Sequence, residues 1–324
     1  DPENKLLPPS GLQNPRNLSA GASHACVQSD AGLHCWGSPS NDYGQTIPPK
    51  ALINPTDIAT GFRHTCAITA EGIRCWGQNN YNQLEIPANI VNPTSIAVGS
   101  RHNCVLSDSG VTCWGSDSGE RLNVPNDLLN PSQLVAGDDF SCALTDEGVR
   151  CWGSDFLNRT AVPTDLVNPT LLVSDSSHSC VLDQGNIRCW GVSSSGQLDV
   201  PNDLVNPVAI SVGSGFTCAI TDEGARCWGA NKRGQTNVPN DLINPSAINS
   251  ANLHTCVLTD TGVRCWGGND SSQWDFDQSV VPSGLINPTD VSVSDSHSCV
   301  ITDNGIRCWG QNQYGQSNVP KNVL

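Results

Sequence analysis

"HTCAITAEGIRCWG", residues 64–77, returns with small changes eight times along the 324-residue chain, each time carrying two cysteines with eight residues between them. All sixteen cysteines fall into these pairs: Cys26/Cys35, Cys66/Cys75, Cys104/Cys113, Cys142/Cys151, Cys180/Cys189, Cys218/Cys227, Cys256/Cys265 and Cys299/Cys308. An even count at one fixed spacing reads as a disulfide framework, and hence as an oxidising compartment. The chain opens at Asp1 and contains no methionine, as expected of a mature chain whose signal peptide has been removed. No apolar run approaches the roughly 20 residues of a membrane span. A secreted, periplasmic or cell-surface protein is expected.

The spacing fits a hairpin. A four-residue loop from Thr69 to Gly72, built on a type I turn with Gly72 in the left-handed position, sets Ile68 opposite Ile73, Ala67 opposite Arg74 and Cys66 opposite Cys75. One residue fewer would put the two sulfurs on opposite faces of the ribbon. In the fifth copy the loop is "DQGN" (183–186), which ends on an Asn that also tolerates that conformation. Each bridge closes a short loop, worth about 2–3 kcal/mol. Zinc is the competing reading, because His64 lies on the same strand face as Cys66 and Cys75. The slot holds His24, His102, His178, His254 and His297 in other copies, but Phe140 and Phe216 in the fourth and sixth. Those two copies keep both cysteines, so the histidines read as packing residues and not as ligands or general bases.

Successive Cys-Trp-Gly tripeptides lie 40, 38, 38, 38, 38, 38 and 43 residues apart, a period that belongs to propeller blades or solenoid units. Apolar alternation with frequent Thr, Val and Ile, and no helical period, gives a unit of four strands, exemplified by 57–60, 64–69, 73–77 and 84–87. An Asn-Pro dipeptide closes every unit, from Asn14-Pro15 to Asn287-Pro288; proline cannot extend a ladder, so it marks a turn between units. Apolar residues make up 37% and aromatics 5%, lean for one large core but adequate for a ring of small sheets packed on their neighbours. The expectation is an all-β, eight-bladed β-propeller with one intrablade disulfide hairpin per blade, spanning 1–324 as a single domain of eight repeats. Both ends stand in the same phase of the repeat, so they should meet and close the ring.

"GFRHTCAITAEGIRCWGQNNYNQL" and "GSGFTCAITDEGARCWGANKRGQTNVP" resemble the repeats of the regulator of chromosome condensation family. The "GQTNVP" ending at Gly234–Pro239 is closer still to the secreted bacterial β-lactamase inhibitor protein II-like propellers. The resemblance covers essentially the whole chain and implies a β-propeller that binds other proteins across one face. The propellers of that family are seven-bladed and lack a bridge in every blade, so this chain departs in both respects.

The chain carries 31 Asp and Glu against 16 Lys and Arg, a formal charge of −15. Six arginines (Arg74, Arg150, Arg188, Arg226, Arg264, Arg307) share one repeat slot before the second cysteine and read as framework that pairs between blades. Too few bases remain for a nucleic-acid surface, and eight disulfides do not suit a nuclear exchange factor. No phosphate loop, nucleophile elbow or redox C-x-x-C is present, so the chain reads as no enzyme. No cofactor is expected. Asp138, Asp139, Asp175 and Asp295 could approach the mouth of a central channel, where a calcium site is the lesser reading.

Strand alternation puts the hairpin tip and the Asn-Pro turn at one end of each blade, nearly identical in all units. The loops at the other end differ everywhere, through two-residue insertions such as Phe62-Arg63, Ser100-Arg101 and Asp138-Asp139. That end is the candidate binding face, with Phe62, Arg63, Arg101, Asp138, Asp139 and Tyr43 as candidates. The repeat is broken hardest between Trp266 and Val281, where Trp274 is the one tryptophan outside a Cys-Trp-Gly and stands with Phe276, Asp275 and Asp277. Trp274 reads as an anchor for a contact, and the Asp-rich loop again admits calcium. The leading reading is a non-catalytic binding propeller for a protein partner. A glycan-binding adhesin, and a structural subunit that self-associates through its uniform face, stand beside it.

Overall fold

The computed structural model describes residues 12–37, 43–50, 52, 55–268 and 275–320. It is all-β, with eight three-stranded antiparallel sheets, each built from strands consecutive in the chain. We number the blades 1–8 by their inner strands: Arg16–Ala20, Asp57–Thr60, Ser95–Val98, Gln133–Ala136, Pro169–Ser174, Ala209–Gly213, Ala247–Ser250 and Asp290–Val293. Each inner strand packs on the next, and the first packs on the eighth, so the eight blades close a ring. No described helix is long and apolar enough to cross a membrane.

The hairpin register is as the spacing requires. Cys66 pairs with Cys75, Ala67 with Arg74, and Ile68 with Ile73. The same pairing recurs at every middle–outer hairpin. Besides Cys66–Cys75, the bridges join Cys26 to Cys35, Cys104 to Cys113, Cys142 to Cys151, Cys180 to Cys189, Cys218 to Cys227, Cys256 to Cys265 and Cys299 to Cys308, with Cα atoms 4.0–4.1 Å apart. No cysteine is free. The two sulfurs of a bridge differ in surroundings. The first, on the middle strand, is fully buried. The second, on the outer strand (Cys35, Cys75, Cys113, Cys151, Cys189, Cys227, Cys265 or Cys308), is only partly buried, because the outer strand has no further strand beyond it. All sixteen cysteines are thus committed to the framework.

The turn is tighter than a four-residue loop. Thr69 and Gly72 already pair, leaving Ala70 and Glu71 as the tip, with Gly72 at a positive φ of 107°. The fifth copy turns differently: Gln184 (φ 50°) and Gly185 (φ 76°) take the positive angles, and Asn186 does not. Two successive positive φ values are the mark of a type I′ turn, which needs nothing special of the residue that follows.

The expected fourth strand is absent from every described blade. In blade 2 the segment around Gln83 curls instead: Ile86 N donates to Leu84 O at 3.1 Å, and Pro87 has no N–H for a ladder. Its carbonyls serve the next blade. Gln83 O accepts from Trp114 Nε1 at 3.0 Å and from Asn103 Nδ2 at 2.8 Å. Bonds to the following blade's side chains thus replace a fourth ladder.

The core is eight small cores, one between each pair of neighbours. The middle strands are buried on both faces, and each Cys-Trp-Gly tryptophan lies under the blade before it, as Trp114 does against Cys66, Ile68 and Ile73. A tryptophan buries roughly 150–250 Å², so at about 25 cal/mol per Å² each contributes about 4–6 kcal/mol. The ring closes by the same contact: Trp36 of blade 1 meets Cys299, Ile301 and Ile306 of blade 8, with Leu12 and Val319 beside them. Trp36 Nε1 donates to Gln316 O at 3.1 Å. Residues 1–11 and 321–324, also expected at the closure, lie outside the described residues.

The histidines two residues before the first cysteine are fully buried and bond across the interface to the next middle strand. His24 Nε2 pairs with Thr65 Oγ1 at 2.8 Å, His64 with Asn103 Oδ1 at 2.8 Å, His102 with Ser141 Oγ at 2.8 Å, His178 with Thr217 Oγ1 at 2.9 Å, and His254 with Ser298 Oγ at 2.7 Å. Where Phe140 or Phe216 takes the slot, the next blade supplies the missing partner itself. Ser174 bonds Ser179 at 3.0 Å, and Ser250 bonds Thr255 at 2.9 Å. At the closing interface the repeat position equivalent to Thr65 and Ser298 is Ala25, which has no hydroxyl; His297 Nδ1 bonds Ser294 Oγ at 2.7 Å, and its Nε2 has no partner among the described residues.

Burial pushes His64 down from 6.5 to about 4, and His24, His102, His254 and His297 to about 3. The unfolded chain therefore binds more protons below pH 6.5, and stability must fall as the pH drops from 6.5 toward 4, by up to about 1.4 kcal/mol per pH unit for each histidine. Above pH 7 these groups contribute no slope. Urea midpoints measured from pH 7.5 to 4.5 check this; a flat profile contradicts it. In addition, Ala25→Ser should give His297 Nε2 its hydroxyl and stabilise the closure by about 0.5–1.5 kcal/mol, read as a higher melting temperature. A lower one would show that the space beside Ala25 is filled.

Candidate functional site

The two ends of the ring are built differently. At the hairpin end, Asn14, Asn92, Asn130, Asn206, Asn244 and Asn287 hold positive φ, and each Nδ2 donates to the hairpin aspartate sixteen residues on, at 2.6–2.7 Å. Blade 2 has Ala70 in the aspartate slot, and in blade 5 Asp183 accepts from the backbone N–H of Val167 and Asn168 instead. The framework arginines sit here too. Arg188, Arg226 and Arg264 pair with Asp165, Asp203 and Asp241 of the segment entering their own blade, and Arg74 with Glu71 of its own hairpin tip. These pairs are solvent-exposed and each is worth little.

At the loop end, a backbone bond ties the two divergent loops together in blades 2–6 and 8, while in blade 7 Gly268 N donates instead to Arg233 O of the blade before it. Gln78 N donates to Arg63 O, Ser116 N to Arg101 O and Ser154 N to Asp139 O, all at 2.9 Å. The inner-strand loops of all eight blades ring an axial cavity of about 520 Å³, whose lining includes Phe62, Ser100, Asp138, Asp175 and Asp295. Asp138 accepts from Ser100 Oγ. Desolvation, and then the charge of Asp138, holds the Asp295 carboxyl above the usual carboxylate range. Asp175 is engaged in its own turn, accepting from Ser177 N and His178 N at 2.8 Å. Asp139 does not reach this mouth. It turns outward to Arg121 (Nη2 to Oδ1, 2.7 Å) and Arg159 (3.9 Å), because those cations lie on either side of it at the 3/4 and 4/5 interfaces. No three acidic, histidine or cysteine side chains come together as a metal cluster among the described residues, and the cystines are not available as ligands.

The outer rim of this end carries a pattern that sequence reasoning missed. Six blades close their outer loop with a buried glutamine (Gln45, Gln83, Gln197, Gln235, Gln278, Gln316). Its side-chain oxygen accepts from the backbone N–H two residues earlier, at 2.7–3.0 Å. The residue so held is Phe276 in blade 7, Tyr314 in blade 8, Tyr43 in blade 1 and Tyr81 in blade 2: four consecutive blades present an aromatic ring, and these include every tyrosine of the chain. The other four blades place Gly119, Leu157, Ser195 and Arg233 there. Tyr43, Tyr81 and the adjoining Phe62 are 42%, 39% and 47% exposed. The signal was available as an aromatic two residues before four of these six glutamines. Asp277 holds a positive φ of 59° immediately before Gln278 and donates its N–H to Asp275 Oδ1 at 3.3 Å; both shape the turn that presents Phe276. Trp274 lies outside the described residues.

Two of the candidate arginines lie on these rings. Arg63 Cζ is 5.4 Å from the centre of Tyr43 and 5.1 Å from that of Phe62; Arg101 Cζ is 4.9 Å from that of Tyr81. Blades 3 and 4 break the glutamine rule with Arg121 and Arg159. There the turn carries two positive φ residues in succession, Gly119-Glu120 and Leu157-Asn158, and Trp152 and Trp190, which face these segments, have no acceptor for their indole N–H among the described residues. Arg159 stacks on exposed Phe156 at 5.5 Å.

Four stretches, 56–83, 132–158, 208–235 and 289–316, match the family described as the regulator of chromosome condensation (RCC1) repeat, so the chain carries repeats of that type. No curated protein matches the sequence. Among solved structures it is similar to the ectodomain of the Physcomitrella patens receptor kinase CR4 (19% identity, TM-score 0.57, covering 91% of this chain and 74% of that one). It is also similar to the CRINKLY WD40 ectodomain of the Arabidopsis thaliana receptor kinase ACR4 (22%, 0.58, covering 80% and 99%). A third is yeast RCC1 (Prp20), solved bound to Kap60 (18%, 0.58, covering 97% and 82%). At these identities the likeness is one of fold.

Arg121 is 3% exposed, and its Nε and Nη1 have no partner among the described residues. A buried guanidinium so incompletely bonded is destabilising. Arg121→Gln restores the residue of the other blades and should raise stability by about 1–2 kcal/mol, measured by chemical denaturation. A loss of stability would show that the Asp139 ion pair outweighs the stranded donors.

Proposed function

We propose that this propeller is a non-catalytic binding module of the extracellular space or cell surface, and that it recognises a protein partner through its loop end. The observation that carries this reading is the aromatic slot filled in four consecutive blades and empty in the other four. Tyrosine and arginine are the residues enriched at the energetic centres of protein interfaces, and here they stand on a rim whose backbone is held by buried glutamines. Eight cystines suit an oxidising compartment. The six histidines ahead of the first cysteines are buried between blades, and five of them are hydrogen-bonded to the next blade, which is in keeping with a packing role. Two of the structural neighbours are receptor ectodomains and a third was solved with a protein bound, which is in keeping with a role in recognition. The narrower form of this reading, drawn from the Gly-Gln…Val-Pro ending, is an inhibitor of an extracellular enzyme.

One observation favours a second reading, a subunit that stacks. The residue before Asn-Pro is an exposed aliphatic in six blades, Val91, Leu129, Val167, Val205, Ile243 and Ile286, at 42–68% exposure. The residue before each of them packs inward, as Leu204 and Leu242 do. The result is a ring of apolar side chains at the hairpin end.

The test is capture of partners from the native extracellular fluid with the disulfide-intact chain and with Phe62→Ala/Tyr81→Ala. The double variant should lose at least about tenfold in affinity for the captured protein, about 1.4 kcal/mol, with its melting temperature unchanged. Trp274→Ala, tested in parallel, should show a comparable loss if that tryptophan belongs to the same surface. Undiminished capture by Phe62→Ala/Tyr81→Ala, together with loss on Val167→Asp/Val205→Asp, moves the interface to the hairpin end and favours the stacking reading.

A further inference from the structure

We propose that Arg63 and Arg101 make the aromatic arc over blades 1–3 a receptor for an acidic segment of a partner protein. The inference rests on the loop-end reading above and names the chemistry of its partner.

The two arginines are repeat equivalents 38 positions apart, and so are the tyrosines beneath them, Tyr43 and Tyr81. One Arg–Tyr stack is therefore built twice, at the 1/2 and 2/3 interfaces. In both cases the arginine comes from the inner-strand loop of one blade and the ring from the outer loop of the blade before it. The first is braced further by Phe62 and by Arg63 Nη1 donating to Tyr43 Oη at 3.3 Å.

Neither guanidinium is neutralised. Arg16, Arg74, Arg121, Arg150, Arg159, Arg188, Arg226 and Arg264 all lie within ion-pair distance of an aspartate or glutamate. Arg63 and Arg101 pair with no acid among the described residues; the one other such arginine is Arg307, in the framework slot of the hairpin end, in a chain where acids outnumber bases 31 to 16. At the loop end, these two cations stand clear of carboxylates. A guanidinium held over a ring keeps N–H donors free and loses little further freedom when a carboxylate docks on them.

A protein segment fits better than a polyanion. Glu85, Asp117 and Glu120 are on the outer loops of the same blades. A nucleic acid or sulfated glycan, charged along its whole length, would be repelled by them and by the net −15 of the molecule. A polypeptide can place carboxylates only opposite Arg63 and Arg101 and lay apolar side chains on Phe62 and Tyr81.

The experiment uses the full, disulfide-intact chain and fluorescence anisotropy with three labelled probes: a Glu/Tyr-rich peptide, its Lys/Tyr counterpart, and a single-stranded oligonucleotide of matched charge. The Glu/Tyr peptide should bind, more tightly as salt is lowered, and the other two should not. Arg63→Gln/Arg101→Gln should weaken it by about tenfold or more, and Arg63→Lys/Arg101→Lys should also weaken it, since charge without the planar fork does not suffice. Arg188→Gln/Arg226→Gln, at the opposite end, should change nothing. Failure of the Glu/Tyr peptide to bind, equal binding by the Gln double variant, or equally tight binding of the oligonucleotide through the same arginines overturns the inference. Unchanged melting temperatures exclude misfolding as the cause of a loss. The two readings fail separately. If Phe62→Ala/Tyr81→Ala loses the native partner but Arg63→Gln/Arg101→Gln does not, the binding face stands and the acidic partner falls. If the peptide binds through both arginines while native capture ignores Phe62 and Tyr81, the reverse holds.

Discussion

Everything in this ring depends on the register of one hairpin, and the cystine across it holds that register. The middle strand is buried on both faces, so a slip of one residue would exchange its Cys66 and Ile68 face for its Ala67 face and strand a histidine against the wrong neighbour. A long β-protein protects register with a broad core, but each core here is a handful of side chains between two blades. A bridge between directly opposed residues excludes the slipped pairing covalently, in each blade independently. This is why the bridges lie within blades: the weak point of a propeller with thin interfaces is the local hairpin, while ring closure is one more copy of a contact already made seven times.

With the register held, the buried polar groups become a problem of pairing between repeats, and the chain solves it one interface at a time. A histidine in one blade is matched by Thr, Asn or Ser in the next; where phenylalanine replaces the histidine, a serine enters the inner strand of the following blade. Such compensation is what the cost of an unsatisfied buried hydroxyl demands. The closing interface is the exception, where the equivalent position holds Ala25 and His297 bonds Ser294 in its own blade. A local loop bond there replaces the bond across the seam.

Much of this was legible from the residues. The period of two in a strand makes a C-x8-C hairpin nearly unambiguous, and the eight copies set the number of blades. The fourth strand was misread because "LEIP" has strand composition; what decides its shape is Gln83, whose main chain and side chain are committed to Trp114, Asn103 and the Tyr81 N–H. Those bonds run between repeats and leave no local mark. For the same reason Asp139 was expected at the channel. Its neighbours Arg121 and Arg159 stand eighteen residues before it and twenty after it in the chain, and only the ring brings all three together. The variable end could be located by alternation, but the aromatic arc needed the glutamine slot to be recognised first.

That glutamine also bears on whether the variable end is drift or design. Random divergence would alter loop shape and loop composition together. In six blades the shape is kept: the same side-chain oxygen holds the same backbone N–H at nearly the same distance, whether the residue presented is Tyr43, Ser195 or Phe276. Only the side chain changes. A rim whose backbone is pre-set loses little conformational freedom on binding, so exchanging serine for tyrosine there alters contact area and chemistry at constant geometry. The two blades that abandon glutamine also abandon the loop shape, and Leu157 takes a left-handed backbone that a leucine adopts only under constraint. The face is thus divided between blades that vary identity on a fixed frame and blades 3 and 4, which vary the frame itself.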